Sequence, residues 1–150
     1  MKNAFGLAVT VAVVFLLVGA ALAGATPAAR SATVTTARTG LGRVVADGSG
    51  RTLYLFEKDT ATRSACSGTC AVYWPPLLTG GGAVVVKGVQ RSLLGIIRRP
   101  DGTRQVSYAG HPLYRFSGDT GRGQTNGEGL HVFGAGWYAL TPSGKKIGRD

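Results

Sequence analysis

The chain has 150 residues, of which 24 are glycine, and its 17 Lys and Arg against 7 Asp and Glu give a formal net charge of +10. This length fits one domain of ordinary size, and the glycines leave little room for long helices. With only two Cys and two His, the sequence offers too few ligands for a zinc or copper centre. We therefore expect neither a metal nor another cofactor.

The N-terminus has the pattern of an export signal. Lys2 is followed by an uncharged apolar run from Ala4 to Ala23, and small residues up to Ala25 precede Pro27. This pattern predicts a signal peptide over residues 1–25. The run is also about the 20 residues needed to cross a bilayer, so an uncleaved N-terminal membrane anchor is the alternative. No Cys follows the run to carry a lipid, and we expect an exported, non-lipidated protein in the cell envelope or outside the cell.

Residues 26–40 are small, polar and rich in Ala and Thr, without apolar periodicity, and we predict a flexible tether there. The remaining residues, 41–148, form the predicted folded domain.

Between turn dipeptides such as Asp47-Gly48 and Asn126-Gly127, the domain contains only short β-prone runs. They span 42–46, 52–56, 83–87, 93–98, 104–109, 112–116 and 137–141. The clearest hairpin joins 94–98 to 104–108 across Pro100-Asp101-Gly102, where Pro presets the turn and Gly admits positive φ. Only 67–73 could form a helical turn. The pattern predicts an all-β fold.

A segment of this domain is duplicated at a spacing of sixty residues. Tyr and Phe two positions apart project to one side of a strand, and an Asp three positions later suits the turn that ends it. The repeated positions are Tyr54, Phe56 and Asp59 in the first copy and Tyr114, Phe116 and Asp119 in the second. We interpret the motif as mainly structural, in one small domain of two related hairpin-containing repeats that pack as a sandwich or a closed sheet.

Two cysteines four positions apart, Cys66 and Cys70, are predicted to form a disulfide, because an exported chain meets an oxidising compartment. So short a loop contributes about 2 kcal/mol in the chain-entropy model, which shapes a turn but does not hold a fold. A redox pair is the alternative, although the two-residue spacing of thioredoxin-like motifs is missing.

No catalytic set is identified. Asp59 and Asp119 could act as a carboxylate pair if both faced one groove, but an Asp after a strand commonly accepts backbone N–H groups in an Asx-turn. His111 lies at a turn, where we favour a structural role over catalysis. The two halves differ most around Trp74 and His111, and we name these, with Trp137, as candidate binding residues.

The Tyr-Leu-Phe-Glu-Lys-Asp segment, its second copy, the Cys66 and Cys70 pair and Trp74-Pro75-Pro76 together resemble one group of bacterial proteins. This is the secreted repeat of unknown function family, predicted lipoproteins with a Tyr-x-(Phe/Trp/Tyr)-x-x-Asp motif. The resemblance covers about residues 40–147 and implies an exported, repeat-built envelope protein. The family has no established activity, so the resemblance transfers no catalytic residue, and the chain departs from it in lacking the lipid-bearing Cys.

These observations lead to two functional hypotheses. The first is a non-enzymatic binding or structural module of the envelope, whose partners are anionic envelope components or another exported protein. Nucleic acid is not an expected partner outside the cytoplasm, and membrane contact is expected only through an uncleaved N-terminal segment. The alternative is an extracytoplasmic redox or electron-transfer accessory that uses Cys66 and Cys70. Most of the positive charge is interpreted as solvated surface, because no run of five basic residues occurs.

Overall fold

The computed structural model describes residues 31–81 and 84–148, and its regular structure is mostly β. The predicted all-β class is therefore confirmed. In chain order the elements are β1 (Thr33–Thr39), β2 (Gly42–Asp47), β3 (Tyr54–Phe56), α1 (Thr69–Tyr73), β4 (Val84–Val85), a 3-10 turn (Arg91–Leu93), β5 (Leu94–Arg98), β6 (Arg104–Tyr108), β7 (His111–Pro112), β8 (Leu130–Val132) and β9 (Ala135–Ala139). The only α-helical turn among the described residues falls in the predicted stretch 67–73.

The strands form three small sheets, with orders β2-β1-β4, β3-β9-β8 and β5-β6-β7. All pairs are antiparallel except β1 with β4, which is parallel. Within the described ranges the three sheets do not join into one closed sheet. Single bridges add further pairing at the sheets, including Tyr54 of β3 with Tyr114 and Gln105 of β6 with Leu78.

The two copies of the repeat are related by an approximate twofold axis that passes between Tyr54 and Tyr114. The amide of Tyr54 donates to the Tyr114 carbonyl at 2.8 Å, and the amide of Tyr114 donates to the Tyr54 carbonyl at 3.0 Å. Further out, Val45 N donates to Leu140 O at 2.8 Å, and its counterpart Val106 N donates to Leu77 O at 2.9 Å. Each copy therefore hydrogen-bonds with the end of the other, and the copies are intertwined.

Two apolar clusters form the core. The first gathers aliphatic side chains from both copies, with Leu53 and Leu113 in equivalent positions and fully buried. The second is aromatic and contains the two Trp, the two motif Tyr, Phe56 and the Cys66 and Cys70 pair. The duplicated motif thus lies at the centre of the domain, where both copies contribute to each cluster.

The folded part begins earlier in the chain than the sequence analysis expected. Residues Thr33–Thr39, which fall within the predicted tether 26–40, form β1 and pair along their length with β2. Five of these seven residues are Thr or Val, which favour strands because their branched side chains pack well on a pleated surface. Val34 is fully buried. The tether prediction is wrong for this segment. It relied on the lack of apolar periodicity, but a strand at the surface needs only a few buried residues on one face.

The predicted signal peptide or anchor at 1–25, and the first residues of the predicted tether, lie outside the described residues. Within 31–81 and 84–148, the helical segments are too short and too weakly apolar to cross a membrane.

The hairpin predicted from 94–98 and 104–108 is confirmed as β5 and β6, in a register that places Leu94 opposite Tyr108. Its turn uses Gly102 at φ 82°, the left-handed region that glycine enters without steric cost. Asp101 Oδ1 stabilises the turn by accepting hydrogen bonds from Thr103 N at 2.9 Å and from Thr103 Oγ1 at 2.6 Å.

Candidate functional site

The tyrosine of each copy of the motif donates a hydrogen bond to the aspartate of the other copy. Tyr54 Oη lies 2.5 Å from Asp119 Oδ2, and Tyr114 Oη lies 2.7 Å from Asp59 Oδ2. Both tyrosines are fully buried, Asp119 is buried, and Asp59 is half-buried. Tyr114 Oη is also 2.7 Å from Ser64 Oγ. The motif is therefore a reciprocal connection between the two repeats.

The second oxygen of each aspartate accepts a backbone N–H from the loop that follows the motif. Ala65 N donates to Asp59 Oδ1 at 2.7 Å, and Asn126 N donates to Asp119 Oδ1 at 2.9 Å. As expected, each Asp accepts a backbone N–H group. The donors lie six and seven residues further along the chain, however, so the contact is not a local Asx-turn. Both oxygens of each carboxylate thus have a partner inside the protein.

Burial controls the protonation of these groups. Burial, followed by the neighbouring Asp119 carboxylate, raises the pKa of Tyr54, and burial and Asp59 raise the pKa of Tyr114. Burial also raises the pKa of Asp59, against the opposing effects of the Ala65 amide, the Tyr114 hydroxyl and Arg99. The phenols remain protonated at neutral pH and serve as hydrogen-bond donors, so they are not placed to act as bases.

A column of four stacked rings runs through the aromatic cluster in the order Phe56, Trp137, Trp74, Phe116. The successive centroid distances are 4.1, 3.9 and 4.4 Å. Each Trp therefore stacks on the other Trp and on the Phe of the other copy. Tyr54 and Tyr114 meet Trp74 and Trp137 edge-on, as ring quadrupoles favour.

The candidate binding residues Trp74, Trp137 and His111 do not come together on a surface. Both Trp side chains are at 0% exposure and serve the core. His111 is half-buried in β7 opposite Tyr108, and burial lowers its pKa. Among the described residues, no three Cys, His, Asp or Glu side chains form a group that could hold a metal ion.

The predicted disulfide between Cys66 and Cys70 is confirmed, with a Cα to Cα distance of 5.3 Å. The two residues are only 0% and 6% exposed and pack in the aromatic cluster. In the second copy, Leu130 N donates to Gly127 O as Cys70 N donates to Ser67 O, so the same turn forms there without a disulfide.

One side of the axis contains a buried cation that the other lacks. Arg99 is 5% exposed, and its Nη1 donates to Ser64 Oγ at 2.8 Å and to Gln105 Oε1 at 2.7 Å. Its Nη2 donates to Cys66 O at 2.7 Å. Arg99 thus fixes the disulfide loop from 33 residues away. Sequence reasoning missed it because Arg98 and Arg99 look alike until the strand register separates an exposed position from a buried one.

An apolar groove of about 410 Å³ opens above the edge of Trp74. Its rim includes Tyr73 and Phe133, which are 53% and 40% exposed and have ring centroids 6.3 Å apart. Phe133 has φ 60° in the turn between β8 and β9, a conformation that bulky residues rarely adopt. The sequence showed both aromatic residues, but nothing in it distinguished exposed rings from core rings.

The acidic groups of the described chain are all used internally. Three form ion pairs within the protein: Asp47 with Arg115, Glu57 with Lys146, and Asp101 with Arg99. Asp59 and Asp119 accept the tyrosine hydroxyls, and Glu128 accepts Ala139 N at 2.7 Å. In contrast, many basic side chains have no carboxylate within 4.0 Å in the described ranges, including Arg38, Arg43, Lys58, Arg63, Lys87, Arg91, Arg98, Arg104, Arg122 and Lys145.

Asp47 makes the shortest of the three ion pairs and also connects the copies. Its Oδ2 accepts Arg115 Nε at 2.6 Å, and its Oδ1 accepts Ser49 N, Ser49 Oγ and Arg51 N. Burial raises the pKa of Asp47, but the hydrogen bonds from Ser49, Arg115 and Arg51 outweigh that effect and hold its pKa below the ordinary value. The carboxylate is therefore stabilised in its ionised form.

A protein-family model described as a secreted repeat of unknown function matches the chain twice, over residues 35–78 and 95–141. The two matches together cover more than half of the sequence. The chain belongs to this family. Its two matched repeats are the two intertwined copies, since the first contains Tyr54 and Trp74 and the second contains Tyr114 and Trp137. The family description as secreted supports an extracellular location. No curated protein and no solved structure matches the chain.

Replacing either motif tyrosine by phenylalanine tests the hydrogen bonds that each copy donates to the aspartate of the other copy. Tyr54→Phe and Tyr114→Phe each remove one buried hydroxyl donor from a carboxylate, and we expect each to lower the free energy of unfolding by about 1–3 kcal/mol. Urea unfolding at pH 7 measures the change. Tyr73→Phe is the matched control, since Tyr73 is exposed, and we expect a change under about 0.5 kcal/mol. Motif variants as stable as this control would contradict the assignment.

The Asp47 ion pair predicts a pH dependence. Because the pKa of Asp47 is lowered on folding, its stabilisation is present above the ordinary pKa of about 4 and is lost as pH falls through the folded value. We expect Asp47→Asn to cost about 2–3 kcal/mol at pH 7 and much less at pH 2.5, as measured by urea unfolding.

Glu57→Gln serves as the control for Asp47→Asn. It removes an exposed pair with Lys146, and we expect it to cost under about 1 kcal/mol at pH 7. An Asp47→Asn effect of the same size at pH 7 and pH 2.5 would show that ionisation of Asp47 is not the source of the stabilisation.

Proposed function

We propose that this protein is an exported, non-enzymatic binding module that recognises anionic polymers of the cell envelope. The observation that carries the proposal is the division of its charges. The described acidic side chains all pair with groups of the protein itself, while a large excess of basic side chains faces solvent with no carboxylate partner among the described residues. Such a surface attracts polyanions over its whole extent.

A binding role also agrees with the use of the duplicated motif. The groups that could have supplied chemistry, the two Asp and the two Tyr, bond to one another across the repeats. The two Trp that were named as candidate binding residues stack in the core. What is left at the surface is charge and an apolar groove, both of which serve recognition without a reaction.

The alternative function, a redox accessory using Cys66 and Cys70, has less support. Thiol exchange requires access of an attacking thiolate to a sulfur. Both cysteines are buried, and the carbonyl of Cys66 is fixed by Arg99. These contacts favour a structural disulfide that shapes the turn leading into α1.

Polyanion binding should be strong at low salt and weak at high salt. We expect labelled inorganic polyphosphate and labelled polygalacturonate to be bound at 50 mM NaCl, with at least a tenfold loss of affinity at 500 mM, because bound counterions are displaced from the polymer and exposed charges are screened. Fluorescence anisotropy measures both. Labelled dextran, which is uncharged, is the control and should not bind. If neither polyanion binds at 50 mM NaCl, the proposal is contradicted.

A further inference from the structure

Both hairpins that precede the motif place two arginines directly opposite each other. In the hairpin of β1 and β2, Arg38 is the register partner of Arg43. In the hairpin of β5 and β6, Arg98 is the register partner of Arg104. Directly opposite residues of an antiparallel pair project to the same face, with Cβ atoms roughly 5 Å apart. Each hairpin therefore carries two arginine side chains on the same face near its tip.

The two arginine pairs occupy equivalent places in the two repeats. Arg43 is two residues before Val45, and Arg104 is two residues before Val106, the two residues whose amides make matching hydrogen bonds across the axis. The pairs are therefore part of the duplicated architecture, like the Tyr and Asp of the motif. Sequence reasoning missed them because the partners are five and six positions apart and form no basic run.

Like charges directly opposite each other destabilise a hairpin, so each pair opposes folding. No carboxylate within the described ranges lies within 4.0 Å of any of the four guanidinium groups. The acid nearest in sequence, Asp101, accepts hydrogen bonds from Thr103 and pairs with Arg99. An external anion would supply the missing countercharge.

The surroundings of the pairs leave room for such an anion. Arg38 and Arg43 line a depression of about 270 Å³ with Thr39 and Gly42. In the second pair, Arg104 but not Arg98 lines a depression of about 430 Å³ between 78–80 and 102–104. Arg43 Nη1 donates to Thr36 Oγ1 at 3.3 Å and Arg104 Nη1 donates to Gly80 O at 3.3 Å, which holds one guanidinium of each pair in place.

From these contacts we infer that the two arginine pairs form a duplicated anion site in which each pair binds a phosphate group of one anionic polymer. The inference rests on the proposed function and names its contact residues and ligand class. Guanidinium groups bind phosphate through two parallel N–H···O bonds, and two opposed guanidiniums can engage both free oxygens of a phosphodiester. Occupying both hairpins on one polymer makes the second contact intramolecular and raises the overall affinity.

The test compares two variants of the full chain that lose the same charge. The site variant carries Arg38→Gln, Arg43→Gln, Arg98→Gln and Arg104→Gln. The control variant carries Arg63→Gln, Lys87→Gln, Arg91→Gln and Lys145→Gln, all at exposed positions outside the pairs. Affinity for labelled inorganic polyphosphate is measured at 50 mM NaCl, with polygalacturonate and phosphatidylglycerol vesicles as comparisons.

We expect the site variant to lose at least tenfold in polyphosphate affinity and the control variant less than threefold. Wild-type protein should prefer polyphosphate to polygalacturonate. Equal losses in the two variants, or tighter binding to vesicles or polygalacturonate than to polyphosphate, would overturn the inference while leaving polyanion binding by the surface as a whole intact. No binding by the wild type would overturn both proposals.

Thermal unfolding at low salt gives a second readout that does not depend on a ligand. Because each pair is repulsive, Arg38→Gln and Arg98→Gln, which leave the hydrogen bonds of Arg43 and Arg104 in place, should each unfold at or above the wild-type temperature in 20 mM NaCl without polyphosphate. Added polyphosphate should raise the wild-type unfolding temperature more than that of either variant. Variants with an unfolding temperature below that of the wild type without polyphosphate would show that the arginines stabilise the hairpins. This result would contradict the inference that the pairs are repulsive and await an anion.

Discussion

The hydrogen bonds exchanged between the two repeats constrain the rest of this structure. Asp59 has its hydroxyl donor on Tyr114, and Asp119 has its donor on Tyr54, so each carboxylate takes one of its hydrogen bonds from the other repeat. The backbone follows the same rule, since the amide and carbonyl of Tyr54 and Tyr114 pair with each other. A repeat folded alone would leave a buried acceptor without its partner and half of the ring column exposed, and both losses are costly. The two repeats therefore form one domain.

This arrangement determines where a function can lie. The aromatic rings and carboxylates that make the motif recognisable are used to join the copies, which leaves the outer surface for recognition. On that surface, the two copies share some features and differ in others. They agree in the arginine pairs of their hairpins, and they differ in the disulfide loop fixed by Arg99. A polyanion contacting both hairpins would use the twofold symmetry.

The sequence was informative where the signal is local. The duplication, the β5–β6 hairpin and the disulfide depend on residues close in sequence or on exact repetition, and each is present in the structure. The partners of the motif residues could not be found in this way, because Tyr54 and Asp119 are 65 positions apart and the sequence does not say that the exchange is reciprocal. The Trp residues were named as binding candidates because the two halves differ around Trp74, and their burial was missed because hydrophobicity alone does not distinguish a core ring from an exposed one. Strand β1 was missed because its Thr-rich composition resembles that of a linker.

Amide hydrogen exchange at Tyr54 and Tyr114 tests the interdependence of the repeats most directly. Each of these amides donates to the carbonyl of the other residue across the axis. If the two repeats form one cooperative unit, both amides exchange only through global unfolding, with the same free energy of opening, equal to that from urea unfolding. Opening of one amide at a free energy lower than the other by more than about 1 kcal/mol would show that one repeat unfolds while the other remains folded, and it would contradict this account.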